Sequence, residues 1–114
     1  MSVPLSKSVV VGDLIFVSGQ IYLKEGELIE GNTKDKTEQI MRNIQEILMD
    51  SGAKIADIVK TTIYVTDMVD YEQINSVYAK CFIEDNYPAR EVVCVKALPL
   101  GAEIEISVIA RRSE

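Results

Sequence analysis

Histidine does not occur anywhere in the 114 residues. Its absence removes Ser-His catalytic triads, histidine-activated cysteine nucleophiles and the usual zinc centres together, so no metal site is expected. Whatever chemistry the chain performs falls to carboxylates, arginine or lysine, hydroxyls, backbone amides and water. Cysteine is scarce too, with only Cys81 and Cys94. Each lies in an apolar run, which predicts buried thiols packed as small hydrophobes in a reducing compartment. No run approaches the roughly 20 apolar residues that a membrane span requires, and no membrane partner is expected. The opening Met1-Ser2-Val3-Pro4-Leu5-Ser6-Lys7 lacks the basic-then-apolar order of a secretory signal, which makes the cytoplasm the expected compartment. Basic excess is missing as well. A net charge of −6 argues against nucleic acid as a partner and leaves room for a local pocket that takes a small anion.

What is present reads as a globular composition, 47% apolar and 26% charged, in one domain spanning residues 1–114. Leu14 to Gln20 (LIFVSGQ) is short, apolar and rich in branched and aromatic residues, a strand signal. Gly12-Asp13 before it and Lys24-Glu25-Gly26-Glu27 after it carry turn chemistry. A helix is predicted from Asn32 or Thr33, with Asp35 in its first turn. Ile40, Met41, Ile44, Ile47 and Leu48 recur along it at helical spacing, and Gly52 stands where a left-handed cap belongs. Ile58 to Val65 alternates and is β-branched, a second strand. Asp67 or Asp70 then caps a second helix whose apolar stripe is Tyr71, Ile74, Tyr78, Cys81 and Phe82. Pro88 ends it, and strands over 90–97 and 102–110 follow, joined by the turn Leu98-Pro99-Leu100-Gly101.

This order is that of an α+β fold, two helices on one face of a mixed sheet. The last strand puts Ile104, Ile106, Val108 and Ala110 on one face, and Glu105, Ser107, Ile109 and Arg111 on the other. The second face is mixed rather than polar. Two helices cover only one side of such a sheet, so self-association is expected to cover the other.

Four places carry candidate chemistry. Arg90 follows Tyr87-Pro88-Ala89 at the mouth of a strand. There it is either a fixed guanidinium fork for a carboxylate or an exposed loop-edge arginine. Glu105 sits within Glu103-Ile104-Glu105-Ile106, either half-buried with a raised pKa and able to act as acid or base, or solvated. Ser18-Gly19 ends a strand and offers a hydroxyl and an unshielded amide, or simply marks a turn. Asn75 on the second helix faces a loop, a ligand or water, whereas Tyr78 reads as core and Arg111 and Arg112 as solvated. These readings leave the reaction open.

Taken in order and spacing, Gly12–Gln20, Asp57–Val65, Asn75–Tyr78, Tyr87–Arg90 and Ile104–Ile106 resemble the reactive-intermediate deaminase (Rid) family, long described as translation inhibitors or L-PSP endoribonucleases. The resemblance runs from Pro4 to Arg111. It implies a chorismate-mutase-like subunit, a homotrimer with inward-facing sheets, and three clefts at the subunit boundaries. The implied activity is hydrolysis of 2-imino acids and their enamine tautomers, such as 2-aminoacrylate and 2-iminobutanoate, to 2-keto acids and ammonia without a cofactor. By the same resemblance Arg90 binds the substrate carboxylate, Glu105 orients or activates water, Ser18 and Gly19 line the cleft, and Asn75 lies near it. Val92 stands where the family often has a cysteine, so backbone contacts to substrate survive there, and Leu5 stands where a tyrosine is frequent. A trimeric, non-catalytic sensor of small carboxylates such as 2-ketobutyrate would share Arg90 without needing Glu105. The ribonuclease description fits poorly with the acidic balance and the missing histidines.

Overall fold

The structure is a computed structural model that describes residues 3–112. Helix α1, Thr33–Asp50, starts where its first turn can be closed from outside. The side chain of Asn32 accepts from the Asp35 amide at 2.9 Å, and the Asp35 carboxylate accepts from the Asn32 amide at 3.1 Å. Such reciprocal capping satisfies two otherwise orphaned donors, and the Asn32 side chain alone contributes about 1 kcal/mol. Past the helix, Gly52 takes φ +86°, a left-handed conformation that residues with a Cβ adopt only at a cost. The predicted stripe is the buried one: Ile40, Met41, Ile44 and Leu48 are all buried, joined by Thr37, while Ile47 packs at the margin.

Seven strands form around this helix and its partner. β1 (Ser8–Val11) and β2 (Leu14–Gln20) make a hairpin around Gly12-Asp13, and β3 (Leu23–Lys24) and β4 (Glu27–Leu28) make a small separate ribbon. β5 (Ile58–Val65) leads through a short turn into α2 (Tyr71–Ala79), and β6 (Ala89–Cys94) and β7 (Ile104–Arg111) complete the chain. The main sheet is five-stranded, in the order β1-β2-β7-β5-β6. Only β5 and β6 run parallel, since α2 carries the chain back between them; the other neighbours are antiparallel.

Both helices lie on one face. Ile15 and Val17 of β2, Ile63 and Val65 of β5, and Ile104, Ile106, Val108 and Ala110 of β7 point into that layer and are buried. Each large side chain buried there contributes roughly 1.5–3 kcal/mol from apolar surface removed from water. Among the described residues nothing covers the other face. Val9, Val11, Phe16 and Val93 are exposed on it, beside half-buried Ile109 and Tyr64 and the polar Lys60, Thr62 and Ser107. No helix of the described residues is long and apolar enough to cross a membrane.

The structure corrects several sequence expectations. Strand β1 carries no alternation and escaped the reading; its pairing with β2 is what makes it a strand. β6 and β7 do not pair as neighbours. Beyond Cys94 the chain crosses the end of β5, where Val65 and Thr66 bond to Val95 and Glu103, and β7 enters on the far side. β6 therefore ends at Cys94 and not at residue 97, and β7 begins at Ile104 and not at 102. Cys94, at the end of an edge strand, is exposed rather than buried, and Cys81 is only half-buried. Tyr71 leaves the apolar stripe of α2, which Val77 joins instead, and Cys81 and Phe82 lie past the helix end. The cap of α2 is divided: the Asp67 side chain accepts from the Val69 amide at 2.9 Å in the preceding turn, and Asp70 occupies the N-cap position without a side-chain bond. Arg111 is exposed, as expected, and its Nε pairs at 3.3 Å with Asp13 in the turn of the first hairpin.

Candidate functional site

β6 is an edge strand, and its parallel register sets Arg90 beside Thr61 of β5. Thr61 is fully buried under α2, where its Oγ1 accepts a hydrogen bond from the Tyr78 hydroxyl at 2.9 Å. Arg90 therefore projects to the helix face, half-buried, at the border of the sheet. Its Nη1 donates to Asn75 Oδ1 at 2.6 Å and its Nη2 to the Tyr71 hydroxyl at 3.1 Å. The guanidinium carbon lies 5.7 Å from the Tyr71 ring centroid and 5.2 Å from that of Tyr78, both within cation–π range. Burial raises the pKa of Tyr78, so this phenol stays neutral.

Every group holding Arg90 is neutral. Among the described residues no carboxylate pairs with it, so a half-buried positive charge is oriented but not compensated. It opens on a cavity of about 340 Å³ walled by Tyr78, Ala79, Tyr87 and Pro88, with Asn75 at its side. Phe82 braces that wall, its ring 4.8 Å from Tyr78 and 6.3 Å from Tyr87. A fixed fork with unspent donors beside an apolar pocket suits a small carboxylate. Val92 lies on the same face one alternation further along β6, half-buried against the core.

Glu105 belongs elsewhere. It pairs with Tyr64 in the β5–β7 ladder, three positions along β5 from Thr61, which places it on the uncovered face. Its carboxylate rests over Gly19: a Cβ on that glycine would stand 2.5 Å from Glu105 Oε2. The β2–β7 ladder slips between Val17 and Gln20, so Ser18 and Gly19 occupy an irregularity that gives the carboxylate its seat. Burial raises the Glu105 pKa, and among the described residues its carboxylate has no ion-pair or hydrogen-bond partner. Its neighbour Glu103 instead binds Lys36 at 2.6 Å. The Ser18 hydroxyl donates to the Ser6 carbonyl at 2.5 Å, tying the segment that carries the exposed Leu5 to β2.

The sequence-derived residues thus fall into two groups. Arg90, Asn75 and Val92 gather on the helix face, and Ser18, Gly19 and Glu105 on the open one. Sequence reasoning missed Tyr71 and the second role of Tyr78, because both read as helix stripe; only the β5–β6 register brings them to the guanidinium. Among the described residues no three Asp, Glu, Cys or His side chains converge as metal ligands would.

Comparison with known proteins agrees with this architecture. The sequence model of the family described as Endoribonuclease L-PSP matches residues 1–112. A human protein named 2-iminobutanoate/2-iminopropanoate deaminase is 37% identical over 109 residues, covering 94% of this chain and 79% of that protein. Reactive Intermediate Deaminase A, chloroplastic, of Arabidopsis thaliana is 41% identical over 109 residues, 94% of this chain and 58% of its own length. The crystal structure of RidA from the Antarctic bacterium Psychrobacter sp. PAMC 21119 superposes with a TM-score of 0.90 at 35% identity, covering 97% of this chain and 90% of that one.

Proposed function

This chain belongs to the Endoribonuclease L-PSP family, also known as the Rid family, and from that premise we propose that it hydrolyses 2-imino acids and their enamine tautomers to 2-keto acids and ammonia. One observation carries the reading: Arg90 is a half-buried guanidinium held only by neutral partners and facing a small cavity. A 2-imino acid supplies the missing anion through its carboxylate. Its adjacent C=N carbon is already electrophilic, so water needs a position and a proton acceptor rather than a covalent intermediate. Water adds to that carbon while one of its protons passes through Glu105 to the imine nitrogen, giving an amino alcohol. Glu105 then takes the hydroxyl proton and delivers it to nitrogen as the C–N bond breaks, leaving the keto acid and ammonia. One water enters for each ammonia released, and Glu105 returns to its starting charge. By the family resemblance, Val92 makes a backbone contact to substrate and Ser18 lies at the cleft wall. We take the cytoplasm, where dehydratases release such imines, as the place of action.

The two residue groups face opposite sides of one sheet, so a complete site on this reading needs a second copy to bring its Glu105 and Gly19 to Arg90. The uncovered apolar residues Val9, Val11, Phe16 and Val93 supply the surface for that contact. Three copies related by a closed rotation satisfy every such boundary at once. Sedimentation at catalytic concentrations is expected to give three times the 12.7 kDa chain mass, and a monomer that retains activity would overturn the assembly. The reaction itself is tested by coupling the protein to a serine or threonine dehydratase and following keto-acid release. Faster release than the spontaneous rate is the expected result.

Gly19→Ala offers a test of the carboxylate's seat. The added Cβ meets the far end of a flexible side chain, so the fold should tolerate it while Glu105 swings aside. Misplacing a proton acceptor by about 1 Å costs up to about 100-fold in rate, so turnover is expected to fall 10- to 100-fold with unchanged far-UV circular dichroism. Full turnover would show that Glu105 acts from some other position.

A further inference from the structure

A second and larger cavity, about 440 Å³, lies on the solvent side of the helix layer, between α1 and the end of α2. It shares no lining residue with the Arg90 cavity. Its volume is within the range of about 300–1,000 Å³ typical of small-molecule sites. Half-buried Ile55 and Cys81 contribute apolar surface to it, above the buried Met41 and Val77. Lys34 and Arg42 reach it from α1, two helical turns apart, and Lys80 comes from the end of α2. Among the described residues Glu38 is the only carboxylate in the lining.

The charge here runs against the rest of the molecule. The chain carries a net −6, yet this lining holds three cations against one anion. Lys36, Lys60 and Arg111 are each matched to a carboxylate elsewhere. Among the described residues Lys34, Arg42 and Lys80 are matched to none. Cys81 also lines the cavity, and burial raises its pKa, so it adds a neutral thiol and no negative charge. A merely solvated helix face has no need of an apolar recess between its cations. Unpaired positive charge around such a recess is complementary to a ligand with an acidic head and an apolar body.

We propose that this groove is a second binding site, for a small amphipathic carboxylate whose head is held by Arg42 and Lys80 and whose alkyl body covers Ile55 and Cys81. The site is independent of the imine chemistry and of Arg90.

Octanoate is a suitable probe, with 1-octanol as its uncharged match, titrated into ¹⁵N-labelled full-length protein and followed by amide shifts. Saturable shifts are expected at Met41, Val77 and Cys81 with octanoate, and binding of octanol at least about tenfold weaker. The double variant Arg42→Gln, Lys80→Gln alters exposed side chains and should keep its spectral dispersion. It is expected to lose about tenfold in octanoate affinity. Arg90→Ala should leave the octanoate shifts unchanged. Shifts confined to Asn75 and its surroundings, equal binding of octanol, or undiminished affinity in the double variant would each overturn the site.

Discussion

Arg90→Ala is expected to reduce kcat/KM for imine hydrolysis by roughly 100- to 1000-fold, about 3–4 kcal/mol of transition-state binding. Two parallel charged hydrogen bonds to a carboxylate would be lost together, and nothing nearby replaces them, since the neighbours of the guanidinium are Asn75, Tyr71 and Tyr78. The fold should survive. Arg90 sits on an edge strand and makes no ion pair among the described residues, so thermal stability is expected to change little. Arg90→Lys keeps the charge but not the fork, and should recover only part of the loss. The dehydratase-coupled assay decides the matter: undiminished turnover in the alanine variant would remove the substrate anchor and the proposed function with it.

Glu105→Gln has the next largest expected effect. The amide keeps the shape of the side chain over Gly19 and removes its ability to take a proton, so kcat is expected to fall about 100- to 10,000-fold. KM should move far less, because the carboxylate of the substrate is held by Arg90. Binding retained with turnover lost supports the enzyme; turnover retained would favour a carboxylate sensor that has no use for residue 105. Glu103→Gln is the internal control, as that glutamate is already bound to Lys36 at 2.6 Å, and it should leave turnover intact.

The pH dependence has a definite sign. Burial raises the folded-state pKa of Glu105 above the ordinary carboxyl value, so the proton-accepting form is lost earlier on acidification than for a free glutamate. The acid limb of kcat/KM should therefore inflect above the usual carboxylate range, and that limb should vanish from the residual activity of Glu105→Gln. For stability the raised pKa works the other way. Folding is favoured when this group is protonated, and that contribution fades as pH rises through the folded-state pKa.

Much of this was legible in residue order. The 3.6-residue stripe from Ile40 to Leu48, the Asn32–Asp35 cap and the alternation of Ile104, Ile106, Val108 and Ala110 are local patterns, enforced by backbone geometry within a few residues. Alternation alone placed Glu105 opposite the core, and the covered and uncovered faces followed. β1 was not legible, because Ser8–Val11 has no polar partner positions to mark a face. Nor was the exposure of Cys94, which depends on β6 being an edge.

The local sequence determined the α+β class, the buried helix stripe and which side of β7 each residue takes, since those depend on periodicities of 3.6 and 2 along a single segment. Strand order was decided only in three dimensions. Placing β5 between β6 and β7 sets Arg90 on Thr61 under α2 and joins it to Tyr71 and Asn75 of that helix. Contacts between residues 15 to 19 positions apart arise from packing of whole elements, and no short-range pattern encodes them.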